Sequence, residues 1–496
     1  MTITNLPIMK RFSLFALSCL LGLSSQAQEK MNVPNGYRVE TIPIPDNIIM
    51  GVGGMAFENT GTLIISTREG QVWRYKNDKF QLIADGLHEA LGLLTNPDNS
   101  DILVMQRPEL TRLIDLDNDG RTDRYETVNG DWGLTDNYHE YAFGPVRDSK
   151  GNLYGTLNTS LSWKGWAGSS KWDIGRVHDG KMGRAAKYRG WCFQITPDGT
   201  FVPFASGMRS PAGIGINKKD EIFYTDNQGD WNGSSTLQHV VKGRFHGHPS
   251  SLMDHPDFAG KDLNKIPVEE YKKLRHPPAV FFPHGDLANS PGEPVFNETG
   301  GKFGPFDGQI FVGDSTKSVL MRVNLEKIKG EYQGAVFPFI RPMQCGIIRN
   351  VFGPDGSLWL GQTGRGWRSI GPVIYGIQRV IWDGKTTPTE IQSIKVTKKG
   401  FKLTFTRPVD MAKAKELSNY EIKNWTYLYQ PEYGSPKHGL KKLDVTKAKI
   451  SMDGFSVSLD VPMEIGKVYQ FIVNVPDNKG TKLANNIGWY TLNATR

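Results

Sequence analysis

The feature that most constrains the fold of this chain is a short unit that recurs along it. Each copy reads as a strand, a tight turn rich in Asp, Asn and Gly, a second strand, and a third run that carries aromatic residues. The first copy spans residues 54–75, and further copies begin near residues 141, 213 and 351. Less regular copies cover 91–105 and 295–312. Recurrence of one unit in this way is typical of sheets arranged radially around an axis.

The repeated unit predicts an all-β protein, and specifically a six-bladed β-propeller over residues 28–384. Seven blades fit the same pattern if an irregular insertion hides a copy. A large β-sandwich or jelly roll is the alternative, although those folds need no recurrent unit. After a predicted linker at 385–391, residues alternate with period two, which predicts an immunoglobulin-like β-sandwich at 392–496. We expect that domain to contact carbohydrate or to close one side of the propeller.

Residues 1–27 have the layout of a secretory signal peptide. Lys10 and Arg11 precede an apolar run over 12–23, and Ala27 ends a small-residue cleavage motif. The run is too short to span a bilayer, and no later segment is long and apolar enough to do so. We therefore expect a periplasmic or secreted protein without a transmembrane segment. Lipid attachment at Cys19 is a less favoured alternative.

Charge and cysteine content narrow the function classes. The net charge of +8 is spread without basic runs interleaved with aromatics, so nucleic acid is not an expected partner. The basic excess is compatible with an acidic polysaccharide ligand or with simple solubility. Cys192 and Cys345 could form one disulfide, and no cysteine or histidine spacing indicates covalent haem or structural zinc.

Propeller geometry predicts which side chains meet. Residues just before the innermost strand of a blade, and just after its second strand, lie at the same end of the central channel. Those positions here carry charged or proton-transferring groups, among them Arg68, Glu89, His139, Arg209, Ser210, Asn227, Gln228, Lys317 and Arg349. We therefore expect the functional site at this channel mouth. His139 is the candidate general base, and a purely structural histidine is the alternative.

Two acidic segments could bind calcium. Alternating acidic residues followed by Gly120 are similar to the first half of a calcium-binding loop, at Asp115, Asp117, Asp119 and Asp123. A solvated turn of Asp, Asn and Gly is the alternative for this segment. A second and less diagnostic segment runs from Asp226 to Asp230, which could hold a cation through side-chain and carbonyl oxygens.

Roughly residues 35–380 of the chain resemble the soluble glucose dehydrogenase and sorbosone dehydrogenase family of six-bladed quinoprotein propellers. The motifs that carry the resemblance are Tyr138-His139 with Phe143-Gly-Pro, Gly207-Met-Arg209 with Tyr224-Thr-Asp226, Val240 to Pro249, Ser315-Thr-Lys317, and Ile348-Arg349 with Gly353-Pro-Asp-Gly356. The chain is still more similar to secreted propeller proteins of polysaccharide-degrading bacteria that are often described as membrane-bound dehydrogenase-like. The motifs for that group are 226–231, the Asp115 loop, 425–427 and 433–436.

The resemblance implies roles for the residues at the channel mouth. His139 would remove the proton of a sugar hydroxyl group, with Arg209 beside it, while pyrroloquinoline quinone accepts hydride and calcium polarises the quinone. The residues that would contact the cofactor are Lys317, Arg349, Asn227 and Gln228. The sequence departs from the family pattern at three places. Ile347 stands where a further arginine is expected, Ser210 replaces an asparagine, and 235–238 replaces an acidic stretch.

Three functions are compatible with this sequence. The first is a secreted sugar or polyol oxidoreductase with His139 as general base. The second is a polysaccharide lyase, or another carbohydrate-active enzyme, in which Arg209 or Arg349 neutralises a uronate and His139 or Tyr138 takes the α-proton. The third is a glycan-binding protein without catalysis. A propeller hosts many chemistries, so the fold alone does not choose among them.

Overall fold

The computed structural model describes residues 30–96, 101–161, 182–364 and 369–496, and residues 31–496 form one compact unit. The predicted signal peptide and Cys19 lie outside the described residues. Strands dominate this unit, so the prediction of an all-β protein is confirmed. No helix within the described part of the chain is long and apolar enough to cross a membrane.

The described strands first form three four-stranded antiparallel sheets, after an N-terminal strand β1 (Tyr37–Thr41). The first sheet contains β2 (Val52–Phe57), β3 (Leu63–Thr67), β4 (Val72–Lys76) and β5 (Lys79–Ala84). The second contains β6 (Leu93–Thr95), β7 (Ile102–Met105), β8 (Leu110–Ile114) and β9 (Arg124–Asn129). The third contains β10 (Ala142–Arg147), β11 (Leu153–Leu157) and, beyond the short pair β12 (Ser160–Leu161) and β13 (Met182–Gly183), β14 (Trp191–Ile195) and β15 (Phe201–Ser206).

Three further groups of four strands complete the ring. The fourth contains β16 (Pro211–Ile216), β17 (Ile222–Asp226), β18 (Ser235–Val240) and β19 (Val280–Phe282). The fifth contains β20 (Pro291–Phe296), β21 (Ile310–Asp314), β22 (Leu320–Ile328) and β23 (Glu331–Ile340). The sixth contains β24 (Ile347–Phe352), β25 (Leu358–Thr363) and β26 (Tyr375–Trp382), and β1 pairs with β26 to complete it.

The first strands of these groups contact one another in a closed cycle, in the order β2, β6, β10, β16, β20, β24 and back to β2. The second strands, β3, β7, β11, β17, β21 and β25, are buried along their whole length. Uninterrupted burial is expected for a strand whose sheet is covered on both faces, and it explains apolar runs such as Leu63–Thr67. The arrangement is a β-propeller, as the repeated unit predicted.

The C-terminal region adds eight strands. They are β27 (Ile391–Val396), β28 (Gly400–Phe405), β29 (Tyr420–Thr426), β30 (His438–Leu443), β31 (Lys447–Ile450), β32 (Ser456–Asp460), β33 (Lys467–Val473) and β34 (Ile487–Leu492). Four of them form the sheet β27-β28-β32-β31, whereas β34-β33-β29-β30 continue the fifth sheet beyond β23. Side chains of both sheets share one core with Ala335 and Phe337 of β23. The C-terminal strands are therefore built onto a blade of the propeller.

Helices are few and short within the described residues. Between β18 and β19 lie α1 (Val268–Leu274) and 3-10 turns at Pro249–Asp254, Pro256–Phe258 and Leu263–Lys265. The C-terminal region has α2 (Met411–Lys415) and a 3-10 turn at Leu417–Asn419. Cys192 and Cys345 are both buried and unpaired, so the disulfide considered from the sequence is absent from this structure. The boundaries at 384, 391 and 392 stay predictions.

Candidate functional site

The starts of the inner strands and the ends of the second strands surround a cavity of about 430 Å³. Cavities of ~300–1,000 Å³ hold drug-sized ligands in proteins. Its polar lining comprises Arg68, His139, Tyr141, Asn158, Arg209, Ser210, Asn227, Gln228, His284, Asn289, Ser290, Ser315, Thr316, Thr363 and Tyr433. Of the residues predicted as catalytic or cofactor-binding, the structure brings together His139, Arg209, Asn227 and Gln228 in this lining.

His139 is buried just before β10 and is held in one orientation. Its Nδ1 lies 3.0 Å from the carbonyl oxygen of Thr159, which can only accept, so Nδ1 carries the proton of the neutral ring. Nε2 is then an acceptor, and the Ser210 hydroxyl group in the cavity lining donates to it at 3.4 Å. Burial lowers the pKa of His139 to about 4, a shift that the Thr159 carbonyl opposes and the Arg209 charge reinforces. The imidazole is therefore neutral at pH 7 and able to take a proton.

Asp226, at the end of β17, fixes the backbone that carries the cavity residues. Its carboxylate accepts hydrogen bonds from the backbone N–H groups of Arg209 (2.9 Å) and Ser210 (2.7 Å). Burial raises the pKa of Asp226, and these two donors oppose the shift. Both carboxylate oxygens thus accept backbone hydrogen bonds, through which Asp226 anchors the start of β16, and the cation site at Asp226 and Asp230 stays a prediction.

Arg209 is paired with a buried carboxylate. Its Nε donates to Asp230 Oδ1 at 2.8 Å, and Asp230 Oδ2 accepts from the Met182 N–H at 3.0 Å and lies 3.2 Å from His248 Nε2. Burial alone would raise the pKa of Asp230, but the Arg209 charge, His248 and the Met182 N–H together outweigh it and lower the pKa. Gly229 makes room for the pair, since a Cβ there would lie 1.9 Å from Arg209 Cζ.

The second cation of the lining, Arg68, is also paired. Its Nη2 donates to Glu89 Oε1 at 2.9 Å and approaches the hydroxyl group of Tyr141 at 3.4 Å. Glu89 Oε2 also lies 3.7 Å from Arg107 Nη1. The Tyr141 ring in turn packs beside His139, with ring centroids 5.3 Å apart. A network of paired charges therefore borders the base.

Arg349 and Lys317 do not line the cavity. The Arg349 guanidinium is inside the ring, where it donates to the backbone carbonyls of Gly53 (2.6 Å), Ala212 (2.7 Å), Ile348 (2.7 Å) and Leu91 (3.0 Å). Burial lowers its pKa to about 10, which leaves it charged at pH 7.

Lys317 is half-buried after β21, and its backbone N–H donates to Asp314 Oδ1 at 2.5 Å. The structure thus places Lys317 and Arg349 outside the cavity lining, and the cofactor contacts that the resemblance implied for them stay predictions.

The first acidic segment folds as a compact loop. Ligand atoms of Asp115, Asp117 and Asp123 lie within 4.8 Å of one another. Asp119 is not in this cluster, and its Oδ1 accepts from the Arg121 N–H at 2.7 Å. Asp115 Oδ2 accepts from the Gly120 N–H at 2.9 Å, while Asp115 Oδ1 is buried without a hydrogen-bond partner among the described residues. This spare buried oxygen distinguishes the loop from an ordinary solvated turn.

The lining does not fit the quinone that the resemblance implies. Pyrroloquinoline quinone carries three carboxylates, and such an anion needs surplus positive charge. The two guanidinium groups of the lining are each bound to a carboxylate, and Lys317 and Arg349 lie outside it.

Two asparagines of the cavity lining have hydrogen-bond acceptors without partners. The side-chain oxygens of Asn158 and Asn227 are buried and have no hydrogen-bond partner within the described residues. Buried acceptors of this kind are stabilised by hydroxyl donors. The donor and acceptor set therefore matches an uncharged polyol better than a tricarboxylate.

Several lining residues were not among the site residues predicted from the sequence, and Tyr433 is the one furthest along the chain. It lies between β29 and β30, more than 200 residues along the chain from Arg209, which its ring contacts. No local pattern connects the two. Glu89 was predicted at a channel-mouth position, but its pairing with Arg68 was not, since pairing is a property of the fold.

The chain is similar to several solved structures. The pyranose dehydrogenase PQQ domain of Coprinopsis cinerea in its holo form is 13% identical, with a TM-score of 0.50, and the match covers 71% of this chain and 97% of that one. The PQQ-bound aldose sugar dehydrogenase of Streptomyces coelicolor is 17% identical, with a TM-score of 0.47, over 70% of this chain and 99% of that one. A carbohydrate-active enzyme of family AA12 from Trichoderma reesei is 14% identical, with a TM-score of 0.48, over 72% and 99%.

No curated protein matches the sequence. A family model does match it, over residues 75–362, and its description is a domain of unknown function, DUF7133. The match begins within β4 and ends within β25, so it includes His139, Arg209 and the loop at Asp226–Asp230. Because it covers more than half of the sequence, the chain belongs to the DUF7133 family.

Proposed function

We propose that this protein is a carbohydrate-oxidising enzyme in which His139 removes the proton of a substrate hydroxyl group. The observation that carries the proposal is the neutral, buried imidazole of His139, whose Nε2 is an acceptor beside Ser210 in the cavity lining. Two other lining residues, Asn158 and Asn227, have buried side-chain oxygens without a hydrogen-bond partner among the described residues. A general base must be deprotonated at the working pH and fixed within reach of the substrate. Burial meets the first condition by lowering the pKa of His139, and the Thr159 carbonyl meets the second by holding the ring orientation and tautomer.

In this proposal the substrate hydroxyl donates its proton to Nε2 of His139. The hydride on the same carbon leaves to an external two-electron acceptor, and the carbon becomes a carbonyl. Asn158 and Asn227 accept hydrogen bonds from neighbouring hydroxyl groups and orient the ring. Sugars are the chosen substrate class because the side chains match a polyol. The pyranose dehydrogenase named for Coprinopsis cinerea also points to this class.

The test uses the purified wild-type protein, a panel of aldoses, polyols and disaccharides, and a redox dye as acceptor. We expect dye reduction by the wild type and a rate lower by about 10²–10⁴-fold in His139→Gln, the usual contribution of a general base. Folded protein that reduces no dye with any sugar would overturn the proposal. Adding pyrroloquinoline quinone with calcium should leave the rate and the absorbance spectrum unchanged, and a response of either would contradict the charge argument.

Two further measurements, product absorbance and ligand affinity, separate the two alternatives. A lyase would release an unsaturated, absorbing product from uronate polymers, but Arg209 and Arg349 already have partners in this fold and offer less charge to a uronate. A glycan-binding protein without catalysis would show unchanged ligand affinity in His139→Gln and no turnover in the wild type.

We also propose that calcium binds the loop at Asp115, Asp117 and Asp123. The converging carboxylates and the unsatisfied Asp115 Oδ1 support this. Calcium takes oxygen ligands of this type at 2.3–2.6 Å. Calcium should raise the melting temperature of the wild type and should not raise that of Asp115→Asn, with magnesium as the control ion. Equal responses of both proteins would contradict the site.

The proposed location is the periplasm or the cell exterior, as the leader at 1–27 predicts. Expression in a bacterium with an export pathway should give a mature chain that begins at Gln28. An intact N-terminus on cytoplasmic protein would contradict export.

A further inference from the structure

The C-terminal region contributes a wall to the cavity. Residues 427–437, which connect β29 to β30 and are called the cover segment below, run along the loop that follows β17. Three backbone hydrogen bonds join them: Trp231 N–H to the Gln430 carbonyl (2.8 Å), Gly434 N–H to the Gly229 carbonyl (2.9 Å), and Ser435 N–H to the Gly233 carbonyl (2.8 Å). This pairing joins the cover segment to the loop that carries Asp230, the partner of Arg209.

Side chains hold both ends of the cover segment. Near its start, the Tyr429 hydroxyl donates to the Gly247 carbonyl at 2.6 Å, and the Arg275 guanidinium lies 4.8 Å from the ring centroid. At its end, Lys437 Nζ lies 2.5 Å from Asp286 Oδ2. Gly434 has a φ of +67°, and a Cβ there would lie 2.9 Å from Gln228 Cδ. The turn is therefore fixed in shape and is not an ordinary mobile loop.

Tyr433 is the residue of the cover segment that lies in the cavity lining. It is 63% exposed, yet it lines the cavity. The Arg209 guanidinium lies 5.4 Å from its ring centroid, and Arg209 is itself held by Asp230. An aromatic ring that is positioned by fixed neighbours but left open at the entrance of a cavity is typical of a ligand contact.

We propose that the cover segment forms a sugar-stacking subsite, with Tyr433 as its platform for an uncharged pyranose ring. The C–H face of a pyranose carries partial positive charge and packs on the negative face of an aromatic ring. The pairing of Arg209 with Asp230 leaves no surplus charge for a uronate, which selects a neutral ring.

The subsite deepens the proposed function and rests on it for the identity of the ligand. One sugar unit occupies the space beside His139 while a second stacks on Tyr433. The preferred substrate is therefore a disaccharide or longer oligosaccharide, or a glycoside with a ring as aglycone, and not a single monosaccharide. The volume of about 430 Å³ is in the range for ligands of this size.

The experiment measures binding separately from turnover. Neutral gluco-, xylo- and manno-oligosaccharides of one to four units are titrated calorimetrically into the wild type, Tyr433→Ala, Tyr433→Phe, and the control Phe455→Ala. Phe455 is another exposed aromatic of the C-terminal region, 39% exposed, and it does not line the cavity. His139→Gln is titrated as well, to test binding without catalysis.

We expect the wild type to bind at least one disaccharide more tightly than its monosaccharide. Tyr433→Ala should weaken that disaccharide by about tenfold, while Tyr433→Phe and Phe455→Ala should stay within about twofold of wild type. Monosaccharide affinity should change little in Tyr433→Ala. Melting temperatures of all variants serve as the folding control.

The outcomes separate the subsite from the proposed reaction. Tyr433-dependent binding without oxidation supports the subsite and rejects the reaction. Oxidation of monosaccharides with no preference for longer ligands and no effect of Tyr433→Ala rejects the subsite and keeps the reaction. Absence of binding by any of these sugars to folded wild type rejects the subsite, as does a tenfold loss in Phe455→Ala equal to that in Tyr433→Ala.

Discussion

Arg349 is buried in the interior of the ring, and Arg209 is buried at its open end. The two guanidinium groups have different hydrogen-bond partners. Arg349 donates to carbonyls of the first, second, fourth and sixth sheets or the segments that lead into them, and so joins the sheets across the ring. Arg209 instead pairs with one carboxylate and keeps a face toward the cavity and Tyr433. The comparison teaches that burial of an arginine at a propeller axis does not identify a ligand site; its partners do.

Substitution of Arg349 should have the largest effect on the free energy of unfolding. Arg349→Met leaves four buried carbonyls without this donor, and each unsatisfied buried group costs ~1–3 kcal/mol. Partial relaxation and water entry reduce the sum, so we expect a loss of about 4 kcal/mol of unfolding free energy. Urea unfolding followed by tryptophan fluorescence measures it. Arg38→Met, which removes only an exposed ion pair with Glu40, should cost under ~0.5 kcal/mol.

A matching loss in the two variants would show that Arg349 does not join the sheets. Arg349 and Arg209 would then not differ in their structural roles as described above. Arg349 would be available for the ligand contact that the resemblance implied.

The open-end arginine should give the next largest effect. Arg209→Met leaves the fully buried Asp230 without its cation, a change that typically costs ~3 kcal/mol. Adding Asp230→Asn removes the stranded charge, so the double variant should be more stable than Arg209→Met alone although it lacks the pair. Thermal melts of the four proteins in the cycle measure the coupling. Simple additivity would mean that the two side chains do not depend on each other.

The pH dependence of His139 should be smaller and has a defined sign. Its folded pKa of about 4 lies below the unfolded value of ~6.5, so the unfolded state binds more protons and stability falls as pH decreases through this window. Between pH 7 and pH 5 the wild type should lose about 2 kcal/mol more than His139→Gln, because glutamine does not titrate. Other buried histidines titrate in both proteins and cancel in the difference. Parallel stability curves would mean that the pKa of His139 is the same in the folded and unfolded states, so that burial does not lower it.

The residues that meet at the cavity could be predicted from the sequence, because in a propeller the position of a residue relative to its strand determines where it lies along the channel. His139 before β10, Arg209 before β16, and Asn227 and Gln228 after β17 meet there, as the strand-turn-strand pattern indicated. The calcium-type loop was also visible as a pattern, although only Asp115, Asp117 and Asp123 converge. The repeat fixes which of the cavity residues are neighbours in space, and the three aspartates are neighbours because they lie in one short segment.

Arg349 shows why the rest could not be predicted. It was predicted to lie just before an inner strand, as Arg209 does, but it is the third residue of β24, whereas Arg209 lies two residues before β16. A difference of a few residues along an inner strand decides whether a side chain lies at the channel mouth or inside the ring, and the sequence pattern does not place strand ends this accurately. Tyr433 was missed for a different reason, because its approach to Arg209 depends on how the C-terminal strands extend the fifth sheet.

The smallest effect is expected for substitution of Lys317. This variant tests whether the open end of the ring holds a cation besides the paired Arg209. Since the side chain is half-buried outside the cavity lining, Lys317→Ala should change unfolding free energy by no more than ~0.5 kcal/mol. Sugar affinity and dye-reduction rate should remain within about twofold of wild type, because the ammonium makes no contact that orients the ligand. Calorimetry and the dye assay measure both. A tenfold loss of either would place a free cation at the open end, which would restore the case for an anionic cofactor.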